Sequence, residues 1–286
     1  MVTAIVSAFA ILLLFPGDAL AWGPATHLEL GSTVLKGLAV LPPAVRALIA
    51  RYPYDFLYGN ISADIVVGKN MVEELKHCHN WTFGSRLLKT ASSDSQRAFA
   101  YGYLCHLAAD TVAHNHFIPE MMIRSFSSTI RKHTYWELRF DALADKSVWA
   151  IPKKIVREVH RDNDALLSLT LAGTGTPLSF RTNKTIFSSI MSIHRVEQWH
   201  HMLDMMSSSS KWTLHKEEKK KFYDLAIEAV ADVLTNGNRA RCTKKDPRGK
   251  HNLDLAKRER KKLKTMNRSG RDWSPAMERA VKEVSP

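Results

Sequence analysis

Residues 102–117 have the sequence GYLCHLAADTVAHNHF, an apolar stretch that carries one regular series of polar side chains. His106, Asp110 and His114 follow one another at intervals of four residues. On a helix, this spacing places all three on nearly one face, one turn apart. The apolar surroundings indicate burial, and buried polar groups need partners. A metal ion would satisfy the stripe, because imidazole and carboxylate are standard zinc ligands; a hydrogen-bonded His–Asp–His network is the structural alternative.

The rest of the chain is also helical in its periodicity, since almost no stretch alternates apolar and polar residues as a strand does. The 286 residues are 45% hydrophobic and 24% charged, which excludes a wholly disordered chain and a polytopic membrane protein. The sequence therefore predicts an all-α fold, with a single multi-helix domain over residues 22–236. Helices are predicted near residues 26–38, 71–78, 82–90, 94–116, 119–146, 153–171, 185–208 and 214–235.

Local signals set the ends of these helices. The prolines, among them Pro43, Pro53 and Pro119, are interpreted as breaks between helices. Ser93 and Asp94 are typical of a helix N-terminus and predict that the helix carrying the polar stripe begins there.

The net charge of +13 is concentrated near the C-terminus. Residues 239–271 hold 14 basic and 3 acidic residues, which leaves a net charge of only +2 for the rest of the chain. The high isoelectric point therefore describes residues 237–286, for which we expect a basic tail, partly helical or disordered. Such a tail can adsorb to an anionic membrane or to nucleic acid.

The N-terminus has the features of a signal peptide. Residues 4–15 are an apolar run too short for a comfortable transmembrane helix, and Ala19 and Ala21 form a small-x-small cleavage pattern. We expect residues 1–21 to be removed and the protein to be secreted or periplasmic. Cleavage after Ala21 makes Trp22 the first residue, whose amine and carbonyl could chelate a metal ion.

Further candidate ligands surround the central stripe in sequence. His133 and Glu137 repeat the spacing of four residues, His77 and His79 flank Cys78, and Asp64 and His27 lie upstream. Because His77 and His79 point to different faces of a helix, we expect one of them to be a ligand. The three cysteines are too few for a disulfide framework.

In chain order these patterns are WGPATH from Trp22, then Asp64, HCHNW from His77, HLAADTVAH from His106 and HTYWE from His133. Together they resemble the zinc-dependent phospholipase C family and are similar to the related zinc-dependent single-strand nucleases. The resemblance implies an all-helical fold around three zinc ions. It also implies a zinc-activated water that attacks a phosphodiester phosphorus, with Asp64 as a general base.

The resemblance assigns the ligands to three groups, two of which share Asp110. One zinc would take Asp64, His79, His106 and Asp110; a second would take the amine and carbonyl of Trp22 with His27 and Asp110; the third would take His114, His133 and Glu137. His79 is preferred to His77 because it precedes an Asn-Trp-Thr-Phe segment like that of relatives. His114 is preferred to His116, although the best-known members use the position of His116.

The resemblance predicts a phospholipase C that releases diacylglycerol and a phosphorylated head group. Glu137 favours lipid over nucleic acid as the substrate, because the nucleases usually carry Asp there. The near-neutral charge of the chain outside the basic tail also favours lipid, because surfaces that bind nucleic acid are generally basic. Residues 23–26 lack the acid that helps the known phospholipase hold choline. A zinc-dependent nuclease and a non-catalytic zinc-stabilised binding protein are the alternatives. The expected partner is a phospholipid at a membrane surface, with nucleic acid only for a nuclease, and the protein is expected to be a monomer.

Overall fold

The computed structural model of the protein describes residues 22–66, 78–128, 133–151, 155, 160–172, 174, 178–193 and 212–286. All regular structure in these residues is helical, so the all-α fold predicted from the sequence is confirmed. Within the same residues, no helix is both long enough and apolar enough to cross a membrane.

Twelve α-helices are described, and we number them in chain order. They are α1 Pro24–Lys36, α2 Pro43–Arg51, α3 Pro53–Ser62, α4 Trp81–Thr90, α5 Asp94–Val112, α6 Ile118–Arg124, α7 His133–Ala142, α8 Arg161–Leu171, α9 Phe180–Ile193, α10 Lys216–Asn236, α11 Lys250–Arg268 and α12 Ser274–Val284. Short 3-10 turns lie at Leu38–Val40, Ala63–Ile65, Lys146–Ala150, Gly237–Arg239 and Arg241–Lys244, and one π-helical turn lies at Ala113–Phe117.

Helix α5 is the centre of the fold and packs against α3, α4 and α10. It begins where the sequence predicts, because the Ser93 hydroxyl accepts a hydrogen bond from the Gln96 amide at 3.2 Å. Two glycines let α3 and α5 meet backbone to backbone. A Cβ atom on Gly59 would lie 2.0 Å from the Phe99 carbonyl oxygen, and one on Gly102 would lie 2.0 Å from that of Phe56.

Two helices begin at prolines that the sequence analysis interprets as breaks. Pro43 and Pro53 are the first residues of α2 and α3, where the missing amide hydrogen costs nothing and the fixed φ suits a helix. A third proline shapes the end of α5. Pro119 has no amide hydrogen to offer the carbonyl of Asn115 four residues earlier, and the π turn lies at this place.

The predicted helix over residues 119–146 is two helices in the structure. Helix α6 ends at Arg124 and α7 begins at His133, with a turn after α6. The predicted helix over residues 71–78 lies almost entirely outside the described residues. The predicted segment at 185–208 is described as far as Ile193, in a helix that begins at Phe180.

The C-terminal segment, residues 237–286, is helical over much of its length, one of the two states expected for the basic tail, and it packs against the domain. Its helices α11 and α12 lie against α6. Beneath the basic composition, α11 buries Leu253, Ala256 and Leu263 at helical spacing, which charge counting alone does not reveal. The Arg260 side chain is buried too and donates to the carbonyl of Ser128. This positive charge of the segment therefore lies inside the structure and not on its surface.

Candidate metal centre

Helix α5 supplies the middle of the site. The side chains of His106 and Asp110 are fully buried, and His106 Nε2 lies 3.1 Å from Asp110 Oδ2. His106 Nδ1 donates to the Asn60 carbonyl oxygen at 2.8 Å, across the backbone contact between α3 and α5. A proton on Nδ1 leaves the lone pair on Nε2, which therefore points toward Asp110 as a ligand atom would.

Two groups of potential ligands meet at His106. The first consists of His27, His106 and Asp110; His27 Nε2 lies 3.3 Å from Asp110 Oδ1. The second consists of Asp64, His79 and His106; His79 Nε2 lies 3.3 Å from Asp64 Oδ1. Within each group, one nitrogen or oxygen atom of every residue lies within 4.8 Å of the others.

Asp110 connects the two groups through its two oxygens. Oδ1 faces His27, whereas Oδ2 faces His106 and lies 3.5 Å from His79 Nε2. A carboxylate in this position can bind one ion through each oxygen. The arrangement agrees with the shared ligand that the resemblance assigns to Asp110.

Local structure explains how the flanking ligands reach the centre. Asp64 lies in the 3-10 turn that follows α3, and His79 lies just before α4, whose N-cap Asn80 accepts from the Phe83 amide. The Tyr103 hydroxyl of α5 donates to the Cys78 carbonyl at 2.9 Å and so fixes the residue before His79.

The residues present fit a metal ion. Among the described residues, neither oxygen of Asp110 and neither ring nitrogen of His27 makes a hydrogen bond of acceptable geometry, although all four atoms are buried. Burying such groups without partners costs several kcal/mol. His79 Nε2 and His106 Nε2 also face each other at 3.1 Å. A zinc ion resolves both features, because it accepts imidazole and carboxylate together.

The protonation states also suit a metal. Burial, followed by the neighbouring His106, lowers the pKa of His27, which keeps this imidazole neutral. Burial opposes the charge on Asp110, but His106 and His27 overcome it and hold the pKa of this carboxyl well below its usual range. Neutral imidazole and ionised carboxylate are the forms that bind zinc.

The N-terminal part of the site is held by Asp141, a residue that the sequence analysis does not identify. Its carboxylate accepts from the Ala25 amide at 3.2 Å, the Thr26 amide at 3.0 Å and the Thr26 hydroxyl at 2.5 Å. Gly23, the N-cap of α1, has no side chain for this purpose, so Asp141 caps α1 from α7. Burial raises the pKa of Asp141 to about 6, against the effect of these hydrogen bonds.

A signal for Asp141 is present in the sequence. His133, Glu137 and Asp141 stand at intervals of four residues, as the ligands of α5 do, so Asp141 lies on the stripe of α7 that carries the predicted ligands. Trp22 lies against the same helix: its ring is fully buried and stacks on Phe140 with centroids 4.6 Å apart. Ligation by the amine and carbonyl of Trp22 stays a prediction.

The third predicted zinc position is described in part. His114 lies in the π turn and Glu137 on α7, and both are buried. The side chain of His133 lies outside the part of the chain that the structure describes, so this ligand group stays a prediction. His77, the alternative to His79, also lies outside the described residues, whereas His79 is in the centre.

His116, the alternative to His114, is engaged elsewhere. Its Nδ1 donates to the Val284 carbonyl at 2.7 Å, and its Nε2 accepts from Lys245 Nζ at 2.8 Å. Burial lowers the pKa of His116, the charge of Lys245 lowers it further, and the ring is therefore neutral. With both ring nitrogens occupied, His114 is the better candidate ligand. Cys78, Cys105 and Cys242 are buried, and none of them forms a disulfide within the described part of the chain.

Comparison with known proteins agrees with this geometry. Residues 26–172, more than half of the chain, match the family model described as zinc dependent phospholipase C. The comparisons with curated proteins and with solved structures found no match. The matched region contains His27, Asp64, His79, His106 and Asp110, which the structure brings together around one buried carboxylate. The chain therefore belongs to the zinc-dependent phospholipase C family, whose members are zinc-dependent hydrolases.

Proposed function

We propose that this protein is a secreted zinc-dependent phosphodiesterase that hydrolyses phospholipids to diacylglycerol and a phosphorylated head group. The observation that carries the proposal is Asp110, a fully buried carboxylate with Oδ1 beside His27 and Oδ2 beside His106 and His79. Neighbouring ions that share one carboxylate suit phosphodiester hydrolysis, because they can act on the attacking and leaving oxygens together. We further propose three zinc ions, with His114, His133 and Glu137 holding the third.

The chain's own residues have distinct tasks in this reaction. When bound, zinc lowers the pKa of water and withdraws charge from the phosphate. Asp110 and His106 are fully buried, whereas the Asp64 side chain, at 8%, has the largest exposed fraction among the ligands of the two described groups. Asp64 is therefore the residue best placed to take the proton of the attacking water, as a general base.

An assay on three substrates tests this function. Mature protein, beginning at Trp22, is incubated with phosphatidylcholine vesicles, phosphatidylinositol vesicles and single-stranded DNA, each with and without a chelator. We expect release of a phosphorylated head group from phospholipid, loss of this activity with chelator and recovery on addition of zinc. Cleavage of DNA alone would establish the nuclease. A zinc-loaded protein that is inert on every substrate would establish the non-catalytic binding protein.

We also propose that the C-terminal segment brings the enzyme to anionic membranes as a monomer. An open groove of about 570 Å³ lies on α11 and the turn after it, and it is lined by Arg258, Lys261, Lys262, Thr265, Met266, Ser269 and Arg271. Lys262 is paired with Glu259, whereas Arg258 and Lys261 make no ion pair with the described residues. These exposed cations suit the phosphate groups of an anionic lipid surface.

Removing two of these charges is expected to weaken membrane binding. Arg258→Ala/Lys261→Ala should bind vesicles that contain phosphatidylserine about 30-fold more weakly, at ~1 kcal/mol for each basic residue near the surface. Arg46→Ala/Lys89→Ala is the matched control, because it removes the same charge from other exposed positions. Sedimentation with vesicles at low and high salt measures the effect. Equal binding by the two double variants would contradict the proposal.

A further inference from the structure

The π turn that carries His114 is enclosed by residues far away in sequence. Three consecutive residues, His114, Asn115 and His116, each contact the C-terminal segment. This segment lies outside the region that matches the family, residues 26–172. The contacts therefore join a part of the chain without family resemblance to a predicted zinc ligand.

Asn115 is bound on both sides. Its carbonyl oxygen, which receives no hydrogen bond from Pro119, accepts from Asn252 Nδ2 at 2.7 Å. Its own side chain donates to the Asp246 carbonyl at 2.9 Å and to the Thr111 carbonyl at 2.9 Å. Asn252 of the C-terminal segment thus supplies the hydrogen bond that Pro119 cannot give to the Asn115 carbonyl, and buried backbone carbonyls need such a partner.

Gly249 brings the backbone of the same segment against His114. Its φ of +57° is in the left-handed region, and a Cβ atom added to it would lie 2.2 Å from the His114 carbonyl oxygen. Gly237 is the natural comparison. It also has a positive φ, +55°, with a ψ of −128° in place of the 25° at Gly249, but a Cβ atom there would have nothing within 4 Å.

We infer that Lys245, Asp246, Gly249, Asn252 and Val284 form a clamp that fixes the π turn and thereby positions His114 for the third zinc ion. These are positioning residues, since they act through the backbone of the turn and through Asn115 and His116. The inference rests on the proposed function, because it assigns His114 to a zinc site.

The two glycines provide the test. Gly249→Ala and Gly237→Ala both place a side chain at positive φ, and the backbone strain is larger in Gly237→Ala, because a ψ of −128° at this φ suits glycine alone, but only Gly249→Ala pushes on the π turn. We expect Gly249→Ala to bind the weakest zinc ion 10- to 100-fold less tightly than Gly237→Ala, as outer residues of metal sites do when changed. Competition with a chelator and metal analysis of the purified proteins measure this. Equal zinc affinity and content in the two variants would overturn the inference.

A measurement without metal separates this inference from the proposed function. In chelated protein, amide hydrogen exchange over residues 113–117 should be at least 10-fold faster in Gly249→Ala than in Gly237→Ala. Unchanged exchange would overturn the clamp even if the protein is an active enzyme. Faster exchange in a protein that binds no zinc would establish the clamp as a structural element and reject the proposed function.

A milder variant guards against misfolding of Gly249→Ala. Asn252→Ala removes the donor to the Asn115 carbonyl, and Ser85→Ala removes another hydrogen bond to the C-terminal segment, from Ser85 Oγ to Asn238 at 2.9 Å. Only Asn252→Ala should lower zinc affinity and speed exchange in the π turn. Equal zinc affinity and equal exchange rates in these two variants would contradict the inference, because loss of the Asn252 hydrogen bond would then affect the π turn no more than loss of a hydrogen bond elsewhere.

Discussion

Asp110→Asn is expected to remove two of the three proposed zinc ions and to lower hydrolysis by about 10³-fold. Oδ1 of Asp110 lies beside His27 and Oδ2 beside His106 and His79, so one substitution affects both of the zinc positions assigned to Asp110. Zinc contributes several kcal/mol to the transition state, at about 1.4 kcal/mol for each factor of ten. Metal analysis and the rate on phospholipid vesicles measure the two effects.

Asp94→Asn is the matched control for this variant. It makes the same chemical change at the other end of α5, where Asp94 is half-exposed and pairs with Arg97. Zinc content and rate should stay at the wild-type values. Full zinc content in Asp110→Asn would contradict the assignment of Asp110 as the shared ligand.

Asp141→Ala is expected to destabilise the protein by about 3 kcal/mol and to loosen the N-terminal segment. The substitution removes three hydrogen bonds and leaves the amides of Ala25 and Thr26 without their carboxylate partner at the start of α1. Because α1 carries His27, zinc affinity should fall as well. Denaturant unfolding of chelated protein gives the stability change separately from the metal.

Asp145→Ala is the control for this prediction, since Asp145 caps the 3-10 turn after α7 at an exposed position. It should cost no more than about 1 kcal/mol. Equal stability losses in the two variants would contradict the role of Asp141.

Asp141→Asn tests the pKa of the same residue. In the folded protein this pKa is raised to about 6, from roughly 3.9 in an unfolded chain. The native state therefore holds its proton more tightly, and the stability present below pH 4 is lost as the pH rises through 6. Relative to Asp141→Asn, the chelated wild type should lose up to about 3 kcal/mol between pH 4 and 7. Parallel curves for the two proteins would contradict this.

The ligand pattern is the part of the site that the sequence predicts best. Residues four apart on one helix share a face whatever the rest of the fold, so His106 and Asp110 could be placed together from spacing alone. The meeting of His27 with Asp110 depends on packing between α1 and α5, which spacing does not report. The family resemblance supplied that pairing, and the structure brings the two residues to 3.3 Å.

Helices α2, α3 and α11 could not be predicted, because the residue types that mark them in the sequence are compatible with more than one structure. A proline ends one helix and suits the first turn of the next, so the breaks at Pro43 and Pro53 concealed α2 and α3. The basic residues of α11 likewise conceal its apolar face. Leu253 and Leu263 pack on the domain while their charged neighbours remain in solvent.

The contact of Gly59 with Phe99, and of Gly102 with Phe56, has a consequence for how the sequence of this protein can vary. At these two contacts no side chain separates the main chains of α3 and α5, so the backbones themselves set the spacing that brings Asn60 to His106. Apolar substitutions elsewhere in the core can accumulate without moving this ligand. This tolerance of the core depends on Gly59 and Gly102, the two positions that must stay without a side chain.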